Sequence, residues 1–292
     1  MSLLIEDLCK KYELSIKKSK YIVNGLNFTV NEGEIYSLIG QNGAGKTTTI
    51  KCILKLIKKD KGRVLVDDMD IDYLMKDSRV GYLPENLTYP SIVSLEEFLF
   101  DLCVLKGMGK QIAQQRIEEL TLQFGLADSR KKSISKFSKG MKRKAGFIQA
   151  IINQPKILIL DEPTDGLDPV SRKLVLNSIR EFADRGNMVL ITSHILSDLN
   201  LISDKVGLID GGRIISEINI KEFKKDNISK IIFETTRNSD TKDEIYTLAP
   251  MIEINVEGLE KCRIKDIALG NPDLEDWYFN ELLNKEADTC GR

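Results

Sequence analysis

The sequence predicts an α/β protein with a largely parallel central sheet, and three stretches carry that prediction. Gly40-Gln41-Asn42-Gly43-Ala44-Gly45-Lys46-Thr47-Thr48 fills every fixed position of the phosphate-loop pattern G-x-x-x-x-G-K-[ST]. Ile157-Leu158-Ile159-Leu160 is an unbroken aliphatic run, as a strand buried on both faces requires, and it ends in Asp161-Glu162-Pro163. Met188-Val189-Leu190-Ile191-Thr192 reads as another strand and ends in Ser193-His194. The expected fold is therefore a phosphate-loop NTPase. A helical subdomain is inserted into it at about 86–136, and a small α+β extension follows. The expected domains are 1–220 and 221–292.

Residues before Lys46 read as a strand-rich lobe, where Leu26, Phe28 and Val30 alternate as a half-buried strand does. Ile35, Ser37, Leu38 and Ile39 form the strand that feeds the glycine loop. Ile50, Ile53, Leu54 and Ile57 then recur at helical spacing. Strand, loop and helix in this order turn consecutive backbone N–H groups toward one anion. The glycines let the backbone approach a phosphate closely. Lys46 can reach the terminal phosphates and the Thr47 hydroxyl can hold Mg²⁺, so the chain is expected to bind a nucleoside triphosphate.

Ligands in parallel sheets sit beyond the carboxyl ends of the strands. Asp161 would emerge there to hold Mg²⁺, directly or through water, and Glu162 would polarise an attacking water. Between the two nucleotide motifs the pattern turns helical. Ser94-Leu95-Glu96-Glu97 fits a capping box ahead of Phe98, Leu99, Leu102 and Leu105, and Ala113, Ile117, Leu120 and Phe124 share one face of a second helix. Ser138 is a good N-cap for a helix carrying Ala145, Ile148 and Ile152. Asp168 caps another, with Pro169 at the first helical position. Asp210-Gly211-Gly212 reads as a hairpin turn. Farther on, Lys230–Phe233 and Met251–Val256 read as strands, and Leu274, Trp277, Tyr278 and Leu282 as a helix after Asn271-Pro272.

Composition narrows the function. Lys+Arg 43 against Asp+Glu 44 leaves a net charge of −1, which argues against a nucleic-acid partner. The five cysteines are scattered without a C-x-x-C pair, which suits a reducing cytoplasm. No apolar run reaches the length of a bilayer span and no signal-peptide core is present, so the chain is expected to be soluble by itself.

Lys136-Phe137-Ser138-Lys139-Gly140-Met141-Lys142 adds a segment that a plain phosphate-loop ATPase does not need. With it, the chain resembles the ATP-binding-cassette (ABC) ATPases over roughly its first three-quarters. The segment is similar to the family signature LSGGQ, in a variant like that of many small bacterial exporters. The resemblance implies that Ser138 and Gly140 face the γ-phosphate of an ATP held by a second copy, or by a homologous ATPase, in a head-to-tail dimer. A helix terminus favours such a contact through its free N–H groups and positive dipole end. Thr164-Asp165-Gly166-Leu167-Asp168-Pro169 matches the family's D-loop, which gives Asp168 a second task in linking the two sites. His194 matches the switch histidine that contacts the γ-phosphate, and Tyr12 the aromatic that stacks on adenine. Glu85 stands where most of the family has glutamine. It could still meet Mg²⁺ or a water, with an added negative charge. The implied whole is an ATPase at the cytoplasmic face of the cell membrane, driving a separate integral-membrane permease through its helical subdomain. Ser138–Met141 and Glu85 together favour export. The alternatives are a non-transport ABC protein and a resistance or regulatory module. Translation-type members carry two cassettes and DNA-repair types long coiled coils, and neither pattern is present here.

Overall fold

The computed structural model describes residues 1–15, 18–226, 230–237, 240–247 and 262–266, with Leu274, Glu275, Trp277, Tyr278 and Glu281. Two compact units divide the chain, Met1–Glu217 and Ile218–Arg292.

The first unit opens with a long antiparallel hairpin, β1 (Ser2–Ser15) and β2 (Lys18–Asn31). Leu26, Phe28 and Val30 are all buried, as their alternation predicts. Next comes β3 (Ile35–Ile39), buried at every position, which runs through the glycine loop into α1 (Lys46–Ile53). Two further strands, β4 (Lys61–Val66) and β5 (Met69–Asp70), complete an antiparallel sheet of order β2-β1-β4-β5. A short helix, α2 (Asp72–Lys76), precedes β6 (Val80–Leu83).

Beyond Ser94 the chain turns helical. In the capping box of α3 (Leu95–Leu105), the Glu97 N–H donates to Ser94 Oγ at 3.2 Å, and the Ser94 N–H donates to Glu97 Oε2 at 2.9 Å. The second helix, α4 (Lys110–Gln123), buries Ala113, Ile117 and Leu120, and Phe124 is buried at its end. Of the apolar residues in α3, Leu105 is 82% exposed, because the helix buries the row Leu95, Leu99 and Cys103 and Leu105 lies off it. The following helix, α5 (Lys139–Ile151), is buried on several faces, with Ala145 and Ile148 in the core.

The chain continues through β7 (Ile157–Asp161), α6 (Pro169–Asp184), β8 (Met188–Thr192), α7 (Leu196–Ile202), β9 (Lys205–Asp210) and β10 (Arg213–Asn219), the last of which runs across the boundary between the units. They complete a six-stranded sheet of order β10-β9-β3-β8-β7-β6, in which β9, β3, β8, β7 and β6 run parallel. Every residue of β7 and β8 is buried. A fully buried Ile or Leu contributes about 1.5–3 kcal/mol, so these runs anchor the sheet. Asp210-Gly211-Gly212 forms the expected turn, with both glycines at positive φ (54° and 77°).

In the second unit, α8 (Ile220–Asp226) is followed by β11 (Lys230–Arg237), β12 (Asp240–Thr247) and β13 (Cys262–Asp266), an antiparallel sheet of order β12-β11-β13. The strand expected at Lys230–Phe233 lies within β11. The one expected at Met251–Val256, and Leu282, lie outside the described residues, whereas Leu274, Trp277 and Tyr278 are helical. The charge-rich β12 has no apolar alternation to announce it.

Candidate active site

Sheet order assembles the site. Because β3, β8, β7 and β6 are parallel neighbours, their carboxyl ends open on one edge. Gly40 follows β3, Ser193-His194 follow β8, Asp161-Glu162 end β7, and Glu85 lies two residues beyond β6. A cavity of about 440 Å³ opens there, lined by Asn42, Gly43, Gly45, Lys46, Thr47, Thr48, Glu85, Asp161, Glu162 and His194, together with Ile22 and Asp165.

Glycine is required at the loop's tightest points. Gly45 has φ 113°, and a Cβ there would lie 2.6 Å from the Ile22 carbonyl oxygen. At Gly40 a Cβ would stand 2.2 Å from the Ile209 carbonyl oxygen. Both approaches are closed to any other residue. The Lys46 ammonium donates to the carbonyl oxygens of Gly40 at 2.6 Å and Gln41 at 3.2 Å. Burial lowers its pKa from the ordinary lysine value, and the carboxylates of Glu162, Asp161 and Glu85 oppose that shift. A phosphate entering beside Lys46 would meet a partly desolvated cation, where attraction is strengthened. Ala44 is buried beneath the loop and does not line the cavity.

Asp161 is almost fully buried. Its Oδ1 accepts from Thr192 Oγ1 at 2.5 Å, while Oδ2 is buried with no partner. Such an orphaned carboxylate oxygen is costly unless something positive meets it. Together with the Thr47 hydroxyl it offers hard oxygen donors, the set Mg²⁺ prefers. Among the described residues no three Asp, Glu, His or Cys side chains form a ready metal cluster. Mg²⁺ is commonly held by one or two carboxylates plus substrate phosphates.

Glu162 is the strained residue of the site. Its φ is 54°, the left-handed region that costs a residue with a side chain roughly 1–2 kcal/mol. The neighbouring β8 holds it there: the Glu162 N–H donates to the Thr192 carbonyl at 3.0 Å. Its carboxylate is paired with His194, whose ring Nδ1 lies 2.7 Å from Oε2 and whose backbone N–H donates to the same oxygen at 3.2 Å.

The other expected residues lie outside the cavity lining. Ser138 caps α5, accepting from the Met141 N–H at 3.2 Å, and Gly140 packs in the first turn against the Gly166 carbonyl. Asp168 caps α6, accepting from Val170 and Ser171 N–H at 3.1 and 3.0 Å. Tyr12 is 41% exposed on β1, with the Lys10 ammonium 5.5 Å from its ring centre. It pairs with Lys20 across the hairpin, and the register shifts between Lys10 and Lys11, beside the cavity residue Ile22.

Two side chains here were not anticipated. Asp165 lines the cavity and is bridged by Lys139 at 2.8 Å. Arg143 is 3% exposed, and it donates to the carbonyl oxygens of Pro84 at 2.9 Å and Glu85 at 2.7 Å. A basic residue among Lys142, Arg143 and Lys144 reads as solvated, and only tertiary contacts single one out.

The comparisons with known proteins agree with this geometry. The ABC transporter family model matches residues 23–165. The bacitracin transport ATP-binding protein BcrA of Bacillus licheniformis is 36% identical over 80% of this chain and 76% of its own. The daunorubicin resistance ATP-binding protein DrrA3 of Streptomyces coeruleorubidus is 30% identical over 82% and 76%. A solved ATP-binding subunit of an ABC transporter superposes with a TM-score of 0.69 at 27% identity, over 77% of this chain and 92% of that one. The chain belongs to the ABC transporter ATP-binding proteins. It is an ATP-binding subunit and an ATPase.

Proposed function

We propose that this chain hydrolyses Mg²⁺-ATP between two copies arranged head to tail and thereby drives a separate membrane permease, in the direction of export. The carrying observation is the edge where Lys46, Asp161, Glu162 and His194 line one cavity while the Ser138 helix terminus lies outside it. One chain thus offers a phosphate loop and, elsewhere, a capped helix N-terminus whose dipole suits a second phosphate site.

In this reading Lys46 and the loop N–H groups of residues 42–48 hold the β- and γ-phosphates, and Tyr12 stacks on adenine. Thr47, Asp161 and Glu85 would hold Mg²⁺, which would supply positive charge to offset that of the phosphates. Glu162 accepts a proton from the attacking water, and His194 orients that carboxylate while its ring reaches toward the γ-phosphate. From the partner copy, Ser138 and Gly140 close on the same phosphate, and Asp168 links the two sites.

Among the described residues no helix is long and apolar enough to cross a membrane, and in this reading a separate permease supplies the translocation path. The names of the similar proteins, one for bacitracin transport and one for daunorubicin resistance, support export over import. The expected setting is the cytoplasmic face of the membrane, with the helical insert at 86–136 as the docking surface and 221–292 as an accessory domain. Co-expression of the tagged chain with the membrane protein encoded beside it tests this reading. Co-purification with ATPase stimulation in vesicles is the expected result. A chain that never associates with a membrane protein would return the reading to a non-transport or regulatory ABC protein.

A further inference from the structure

Arg143 is nearly as buried as the apolar core, yet it carries a charge, and burying a charge is costly unless every donor is used. Its partners belong to two different loops. Nη1 donates to the Pro84 carbonyl at 2.9 Å and Nη2 to the Glu85 carbonyl at 2.7 Å, while Nη2 also stands 3.7 Å from Asp165 Oδ2. Asp165 is held from the other side by Lys139, in the first turn of the same helix. Neighbouring contacts reinforce the join. The Tyr89 hydroxyl donates to the Lys142 carbonyl at 3.1 Å, and a Cβ at Gly146 would press on Leu83 and Leu87. Glu85 and Asp165 both line the nucleotide cavity, whereas Ser138 and Gly140 at the head of α5 do not.

We infer that Arg143 is a positioning residue: its guanidinium fork ties α5 to the Glu85 loop and to the Asp165 loop, so that a displacement of the helix bearing Ser138 moves the Glu85 carboxylate in the cavity. A planar fork can hold two carbonyls and a carboxylate at fixed angles, which a single ammonium cannot. Arg143 does not line the nucleotide cavity. It acts through Glu85, and through it turnover depends on where α5 sits. The inference rests on the ATPase reading, and wild-type turnover is the control that separates the two.

The test compares Arg143→Lys, which keeps charge without the fork, with Arg143→Met, which keeps length alone. Each is assayed for melting temperature, affinity for a fluorescent ATP analogue without Mg²⁺, and kcat and KM per nucleotide-binding protein. A misplacement of about 1 Å can cost about a hundredfold in rate, so Arg143→Lys should lose roughly tenfold to a hundredfold in kcat. KM and analogue affinity should stay near wild type, because the Lys46 loop is untouched. In a Glu85→Ala background the same substitution should cost much less, as groups acting in series are not additive. Arg143→Lys with wild-type kcat, a loss of affinity matching the loss of rate, or full additivity with Glu85→Ala would each overturn the proposal. If Arg143→Met does not fold, Arg143→Lys still decides it. Inactive wild-type protein would instead sink the ATPase reading itself.

Discussion

His194 Nδ1 and Glu162 Oε2 lie 2.7 Å apart, and the backbone N–H of His194 donates to the same carboxylate oxygen at 3.2 Å. A residue from the end of β8 therefore fixes the carboxylate at the end of β7, and both line the cavity beside Lys46. The two residues work as a pair. Glu162 pays for its left-handed backbone with this placement.

Glu162→Gln keeps shape and the His194 contacts but removes the proton acceptor. General-base contributions are about a hundredfold to ten-thousandfold, and kcat should fall in that range. ATP binding should persist, and the protein should accumulate as an ATP-bound dimer on gel filtration. Hydrolysis near the wild-type rate would remove Glu162 from the chemistry.

His194→Ala deletes the ring contact and leaves the backbone one. The carboxylate survives as a base with a looser orientation, so the loss in kcat should be smaller than for Glu162→Gln. Single-turnover kinetics with saturating ATP measures the ranking. An equal or larger loss would mean that the ring acts directly on phosphate and orientation is secondary.

Asp161→Asn replaces an orphaned buried oxygen with an amide of nearly the same shape. Relieving an unpaired buried charge should leave the melting temperature unchanged or raised. Nucleotide affinity measured without Mg²⁺ should hold, while the gain in affinity that Mg²⁺ brings should vanish. If Mg²⁺ strengthens binding to the variant as it does to wild type, the carboxylate does not hold the ion.

The composite site is tested with a mixed dimer carrying Lys46→Ala in one chain and Gly140→Asp in the other. Head-to-tail geometry puts both lesions on one ATP and leaves the second site whole. Residual hydrolysis in the mixture, absent from either homodimer, is the expected result. A Cβ at residue 140 would lie 3.1 Å from the Gly166 carbonyl, so the D-loop must shift slightly, and melting curves of Gly140→Asp are the needed control. Strong loss of ATP binding by monomeric Gly140→Asp would put the signature in cis.

Asp168 predicts a pH dependence. Hydrogen bonds from the Ser171 hydroxyl, then from the Ser171 and Val170 N–H groups, hold its pKa below the ordinary aspartate value of 3.8. A carboxyl depressed in the folded state contributes stability above its unfolded pKa and loses it as pH falls through the folded one. Asp168→Asn keeps a good N-cap without that titration. Thermal melts from neutral to about pH 3 should therefore fall less steeply for the variant than for wild type. Parallel curves would show that the cap carries no proton linkage.

Much of this protein is written locally. The loop Gly40–Thr48, the aliphatic runs of β7 and β8, the Ser94–Glu97 capping box and the Asp168-Pro169 helix start are all legible, because hydrophobic period and capping chemistry act over a few residues. The same local reading does not say which apolar residues of α3 are buried, and Leu105 is left exposed, since the row a helix buries depends on what it packs against. It could not anticipate β12, whose strand exists through pairing with β11. Nor could it see that His194 would grip Glu162, because that contact needs β8 to lie beside β7 in the sheet. Arg143 is the extreme case: three consecutive basic residues look alike in sequence, and only the packing of α5 against the Glu85 and Asp165 loops buries one of them. The sequence by itself determined which chemistry this chain carries, because phosphate binding needs particular residues at particular spacings. Tertiary structure alone decided which of those residues touch, because strand order and helix packing join positions that are far apart in the chain.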